Sequence, residues 1–81
     1  MPVILRIGSF RFFFYSNEGD PREPVHVHVR QGSAIAKFWL HPEVRLADSY
    51  GFDARTCNQL AKLVEANKAV IERAWNEHFG C

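Results

Sequence analysis

The chain has 81 residues, a formal net charge of +1 and an aromatic content of 14 %. A chain of this length builds one small core, so residues 1–81 are predicted to form a single domain. The balanced charge excludes nucleic-acid or membrane binding by bulk charge, and any such affinity needs a local patch. The sequence contains neither an apolar run of about 18 residues nor a signal-peptide pattern, so we expect a cytoplasmic protein.

The chain opens with a predicted β-hairpin around Gly8-Ser9, a Gly-first order that suits a type II′ turn. Strands at residues 3–7 and 10–15 then place Val3 opposite Phe14 on an apolar face. On the other face Arg6 lies opposite Arg11, a like-charge pair that is destabilising unless an anion lies between the two side chains. Phe13 and Tyr15 share the face of Arg6 and Arg11. Residues 16–24 follow as a predicted polar loop with two prolines and three acidic residues.

A second predicted hairpin forms the centre of the sheet. Three valines at positions 25, 27 and 29 alternate with His26, His28 and Arg30, which is the period of a half-buried strand. With Gln31-Gly32 as the turn, His26 lies opposite Lys37 and His28 opposite Ile35. The predicted apolar face carries Val25, Val27, Val29, Ala34, Ala36 and Phe38, and the opposite face carries His26, His28, Arg30, Ser33, Ile35, Lys37 and Trp39.

The last forty residues predict a helical cover for the sheet. His41-Pro42 ends the preceding strand, and residues 44–50 are compatible with either a fifth strand or an irregular turn. Asp53 is a predicted N-cap, and Gly80 a predicted stop for a helix that runs to about His78, with Asn67 marking a site for a kink or break. The apolar side of this helix contains Leu60, Leu63, Val64, Val70, Ile71, Ala74 and Trp75.

The predicted fold is therefore α+β: an antiparallel sheet of four to five strands, built from two β-hairpins and covered on one face by a long C-terminal helix. Cys57 and Cys81 lie at opposite ends of that helix, too far apart for a disulfide. Two unpaired thiols fit a reducing compartment.

Two imidazoles on one strand face suggest metal binding or acid-base chemistry. A metal ion needs further ligands, and the nearest candidates, His41, Glu18 and Asp20, have no diagnostic spacing, so we predict neither a metal nor a cofactor. As acid-base groups, His26 and His28 beside Arg30, Lys37 and Tyr15 resemble the equipment of a metal-independent ribonuclease. The simpler interpretation is that both histidines are ordinary members of a polar sheet face.

Together the two hairpins predict a surface on which cations and aromatic rings alternate, a composition suited to RNA, single-stranded DNA or an acidic protein segment. The alternative is that its aromatic residues pack under another part of the chain. The predicted partner-binding residues are Arg6, Arg11, Phe13, Tyr15, His26, His28, Arg30, Lys37 and Trp39.

Several segments carry a resemblance to a known family. These are Phe-Arg-Phe-Phe-Phe-Tyr-Ser-Asn-Glu from residue 10, Pro-Val-His-Val-His-Val from residue 24, Ala-Lys-Phe-Trp-Leu from residue 36 and the Tyr-Gly-Phe before the helix. The sequence resembles a family of small bacterial proteins described as a domain of unknown function. The resemblance implies a short prokaryotic protein, often encoded beside another small protein and in some members labelled a toxin-antitoxin component. The expected function is a binding module of such a pair that contacts a partner protein or RNA, and the alternative is a ribonuclease-type toxin that uses His26 and His28.

Overall fold

The computed structural model describes residues 3–15 and 23–80 and contains a five-stranded sheet followed by two helices. The strands are β1 (Val3–Ile7), β2 (Phe10–Phe13), β3 (His26–Gln31), β4 (Ala34–Trp39) and β5 (Arg45–Tyr50), and the helices are α1 (Ala54–Ala66) and α2 (Lys68–Phe79). Each strand pairs antiparallel with the next in chain order. The predicted α+β class is confirmed, and residues 45–50 form the fifth strand that the sequence left undecided.

The first hairpin has the predicted turn and one unpredicted irregularity. Gly8 has a φ of 59°, and Arg6 lies opposite Arg11 as predicted. Val3, however, lies opposite Phe13 and not opposite Phe14, because the register of β1 shifts just after its first residue. An extra residue in one strand of an antiparallel pair produces such a shift, and alternation of side chains cannot reveal it.

The second hairpin turns one residue later than predicted. Its loop is Gly32-Ser33, with a φ of 58° at Gly32, so the predicted Gln31-Gly32 turn is wrong. A type II′ turn needs a positive φ at its first central residue, and glycine adopts a positive φ readily. Gly32 therefore occupies the first position of the turn and not the second. His28 consequently lies opposite Lys37 rather than Ile35, and His26 opposite Trp39 rather than Lys37. A register change of two residues leaves every side chain on its predicted face.

The core lies between one face of the sheet, here called the inner face, and the two helices. Alternate residues of the three middle strands meet the apolar stripe of the helices, as the period of two predicts. The fully or almost fully buried members of this core are Phe12, Phe14, Val27, Val29, Ala36, Phe38, Leu40, Leu60, Val64, Ile71 and Trp75. The predicted helical cover of the valine and phenylalanine face is thus present.

The cover consists of two helices instead of one. The Asp53 side chain caps α1 by accepting a hydrogen bond of 2.8 Å from the backbone N–H of Thr56. Hydrogen bonding from the Thr56 side chain, and then from this backbone N–H, holds the pKa of Asp53 below its ordinary value. The helical path breaks at Asn67, where a break was anticipated, and the Asn67 side-chain amide donates to the carbonyl of Leu63. Val70 is 48 % exposed, so its predicted place in the buried stripe is wrong.

Some predictions fall on residues beyond the described ranges. These are most of the polar loop at 16–24, with Glu18 and Asp20, and the thiol of Cys81. The Cys57 thiol is buried and not part of a disulfide. Among the helices of the described residues, none has the length and apolar character needed to cross a membrane.

Candidate functional site

By strand alternation the residues predicted to bind a partner lie on the outer face of the sheet, opposite the inner face, although His26 at the start of β3 also contacts Trp75 of α2. Cross-strand pairing arranges the side chains of this face in rows that cross neighbouring strands. The first row contains Arg6, Arg11, Arg30, Ile35 and Tyr50; the second contains Phe13, His28, Lys37 and Asp48; the third contains His26, Trp39 and Arg45. Antiparallel pairing therefore brings together side chains that are far apart in sequence.

Three of these side chains form what we call the arginine row: Arg6, Arg11 and Arg30, which lie side by side on β1, β2 and β3. Arg6 and Arg11 are exposed and Arg30 is half-buried. None of the three forms an ion pair with a carboxylate of residues 3–15 or 23–80. Like charges directly opposite each other on a sheet are destabilising, so the row carries positive charge that the described part of the chain does not compensate.

Arg30 has one polar atom that is withdrawn from solvent. Its Nε is buried and finds no hydrogen-bond acceptor among the described residues. Its Cζ lies 5.9 Å from the centre of the Phe13 ring, within the range of a cation–π contact. The guanidinium is thus held over an aromatic ring while one of its N–H groups is desolvated without a partner there.

An aromatic cluster occupies the middle of the outer face. The ring of Tyr15 lies 4.6 Å from that of His28 and 5.3 Å from that of Phe13, in edge-on geometry, and Phe13 stacks on His28 at 5.5 Å. The ring of His26 lies 5.4 Å from that of Trp39. Such contacts add packing energy beyond the burial of apolar area. The cluster therefore behaves as a second, smaller core on the face that was expected to be open.

The two histidines are buried in this cluster. His26 is 0 % and His28 8 % exposed. The Nδ1 of His26 lies 2.9 Å from the carbonyl oxygen of Pro24, a distance at which the ring N–H donates to the carbonyl, and the His26 ring also lies 5.0 Å from the ring of Trp75 on α2. The sequence places both imidazoles on the correct face, but alternation alone gives no sign that other side chains cover them.

Lys37 is held by its neighbours and differs in this from the arginine row. Its Nζ lies 3.5 Å from a carboxylate oxygen of Glu23 and 4.3 Å from the centre of the Trp39 ring. An ammonium group paired with both a carboxylate and an aromatic face attracts a further anion less strongly than an unpaired cation does. The open cationic part of the outer face is therefore its β1–β3 side.

Among the concavities that the described residues line, two open between neighbouring strands of this face. One, of about 140 Å³, is lined by Val3, Arg11, Phe13 and Arg30. The other, of about 190 Å³, lies nearer β5. Both are smaller than the roughly 300–1,000 Å³ typical of small-molecule pockets and match single side chains or small ions better.

The concavity nearer β5 includes two residues that the sequence analysis did not select. Asp48 lies opposite Lys37, and Tyr50, which is 73 % exposed, lies opposite Ile35. They were missed because the sequence did not decide whether residues 44–50 form a strand, and without a strand they have no face. A register for β5 would have placed both beside the predicted residues.

The described residues offer no assembled metal site. Within residues 3–15 and 23–80 no group of three or more His, Cys, Asp or Glu side chains is placed to hold a metal ion. The expectation that the purified protein carries no stoichiometric metal stays a prediction.

Fold and site together define a class: a small α+β domain whose helices cover one sheet face while the other presents a row of arginines beside a buried aromatic cluster. The chain belongs to the family described as domain of unknown function (DUF4160), whose sequence profile matches residues 9–76. The match begins before β2 and ends within α2, so it contains Arg11, Arg30 and the aromatic cluster. No curated protein and no solved structure matches the chain.

Proposed function

We propose that this chain is a non-enzymatic binding module, one component of a two-protein bacterial system of the toxin-antitoxin kind, and that it acts in the cytoplasm. It binds its partner through the arginine row on the outer face. The observation that carries this proposal is the lack of any carboxylate among the described residues that pairs with Arg6, Arg11 or Arg30. An anionic surface would remove the repulsion within the row and form charge-assisted hydrogen bonds with it.

The pairing with a second small protein rests on the family resemblance, and the place of contact on the sheet geometry. A negatively charged partner also fits a domain whose own net charge is only +1, because local rather than total charge then determines the attraction. RNA is the other anionic partner that this face could attract.

The experiment is a comparison of two charge-matched double variants. Arg6→Gln/Arg11→Gln removes two exposed cations of the arginine row, and Lys62→Gln/Arg73→Gln removes two exposed cations from the helices. We expect the first pair to weaken binding of the small protein encoded beside this chain by about tenfold or more, equivalent to about 1.4 kcal/mol, and the second to leave it nearly unchanged. Calorimetric titration gives both affinities.

Equal effects of the two pairs would mean that binding responds to net charge and not to this face. An unchanged affinity in the first pair would contradict the proposal. If RNA, but not the protein, binds in an arginine-dependent way, the partner class is wrong while the surface is right.

The alternative function, a metal-independent ribonuclease that uses His26 and His28, has less support. Acid-base catalysis requires an imidazole within hydrogen-bond reach of the substrate, and these rings are 0 % and 8 % exposed. Overexpression of the chain and of His26→Gln/His28→Gln at equal soluble level separates the two functions. RNA cleavage that only the parent chain supports would favour the ribonuclease.

A further inference from the structure

We infer that the cleft between Arg11 and Arg30 is a carboxylate-binding site that receives one acidic side chain of a partner protein. The inference deepens the proposed function and rests on it for the identity of the partner as a protein. The preference for a carboxylate is argued from the geometry of the cleft alone. The carboxylate site and the proposed function can therefore be refuted independently.

The cleft is built from two strands and has an apolar floor. Arg11 on β2 lies directly opposite Arg30 on β3, and the two side chains line a cavity of about 140 Å³ together with Val3 and Phe13. Phe13 is only 2 % exposed, so its ring is fixed in place by packing. Two arginine side chains thus line a small, partly apolar depression, where an anion is less screened than on an open surface.

The Nε of Arg30 is the second observation that points to a ligand. It is buried without an acceptor among the described residues, and a desolvated N–H group without an acceptor destabilises the free protein. A carboxylate that enters the cleft would accept from this Nε–H with one oxygen, which requires the Arg30 side chain to turn its buried Nε toward the cavity. Its second oxygen would accept from a neighbouring Nη–H, in the bidentate geometry that guanidinium and carboxylate share.

The surroundings favour an acidic side chain over a nucleic-acid strand. Single-stranded RNA binds through bases stacked on exposed aromatic rings and through several phosphates in succession. Here the aromatic ring at the cleft, Phe13, is buried, and the exposed Tyr50 lies two strands away from Arg30 in the same row. The cavity has room for one small oxyanion, and Lys37 is already paired with Glu23.

The test uses the full chain labelled with ¹⁵N and follows the arginine Nε–Hε signals by NMR. The first probe is a short glutamate peptide with blocked termini. The comparison probes are inorganic phosphate, a short oligouridylate, and sodium chloride at matched ionic strength. We expect the glutamate peptide to shift the Arg30 Nε–Hε signal in a saturable way and to leave that of Arg55, an exposed residue of α1, unchanged.

A conservative variant isolates the hydrogen-bond geometry from the charge. Arg30→Lys keeps the positive charge but lacks the Nε–H, so the affinity for the glutamate peptide should fall by about tenfold, as read from the Arg11 signal. Arg55→Lys is the matched control and should bind like the parent chain.

Three outcomes overturn the inference: no saturable shift at Arg30, an equal shift at Arg55, or unchanged binding by Arg30→Lys. Tighter binding of phosphate or oligouridylate than of the peptide would overturn the choice of a carboxylate-bearing partner. Because the titration needs no natural partner, its failure is distinct from a failure of the proposed function.

Discussion

Neutralising the middle member of the arginine row should stabilise the free protein. Arg11 lies between Arg6 on one side and Arg30 on the other, so Arg11→Gln removes two repulsive like-charge pairs at once. Most substitutions in a small domain are destabilising, which makes a gain in stability a demanding expectation. It follows from the absence of a pairing carboxylate in the described part of the chain.

The size of the effect follows from the geometry. Favourable cross-strand pairs on a sheet contribute roughly 0.2–1 kcal/mol each, and like charges directly opposite are destabilising. Two unit charges about 8 Å apart in water repel by about 0.5 kcal/mol, and Arg11 is exposed, so the water value applies. Two pairs then give a gain of about 1 kcal/mol at low salt. For a domain of this size about 1 kcal/mol raises Tm by roughly 4–8 °C.

The assay is urea and thermal denaturation of Arg11→Gln and Arg11→Lys, which differ in charge but leave similar unbranched side chains. The difference in unfolding free energy between them should be about 1 kcal/mol near 0.01 M salt, where the screening length is about 30 Å. It should nearly vanish at about 1 M, where that length is about 3 Å. A difference that persists at high salt, or a lower stability of Arg11→Gln than of Arg11→Lys, would refute the electrostatic reasoning.

Three further predictions concern the fold. Trp75→Ala removes a buried indole of the core and should cost about 3–5 kcal/mol in urea denaturation, a large part of the roughly 4–12 kcal/mol expected for a domain of this size. Gly51→Ala should lower Tm more than Gly8→Ala: both glycines have positive φ, but only a Cβ at Gly51 would meet backbone and side-chain atoms, at 3.1 Å. Asp53→Asn should remove an acid-dependent loss of stability. Because the hydrogen bonds from Thr56 hold the pKa of Asp53 below its ordinary 3.8, the carboxylate stabilises the parent above that value and ceases to do so as pH falls through the folded-state pKa. The unfolding free energy, obtained from denaturation curves at successive pH values below about 5, should therefore change less with pH for the variant than for the parent chain.

The sequence predicted the faces of the strands better than their register. Valines alternating with histidines place each side chain on one face whatever the turn, because the period of two survives a shift of two residues. The register depends on whether Gly32, whose φ is positive, is the first or the second residue of the turn, and alternation does not distinguish these two cases. The predicted Gln31-Gly32 turn therefore gave His28 the wrong cross-strand neighbour, Ile35 instead of Lys37, but the correct face of the sheet.

The sequence predicted which residues share the outer face, but it did not predict which of them are buried. All three members of the arginine row lie on the face where alternation placed them, and the Arg6–Arg11 pair follows from the first hairpin turn. The pairing of Arg11 with Arg30 joins the two hairpins and was not predicted. The cover over His28 comes from Tyr15, beyond the end of β2, and the contact to His26 comes from Trp75 on a distant helix. Contacts of this kind depend on tertiary packing, for which local patterns carry no signal.

The irregular pairing at both edges of the sheet affects whether the protein aggregates at high concentration. β1 shifts register after Val3, and β5 shifts where it passes Lys37 and Phe38. A strand that bends away cannot serve as a flat template on which another molecule's backbone hydrogen-bonds in regular succession. We therefore expect the chain to resist growth into fibrils by edge-to-edge addition, although β5 is exposed along its whole length. Straightening that strand by deletion of Ala47 would expose a continuous ladder of amides and carbonyls, and the expected cost is aggregation at concentrations that the parent chain tolerates.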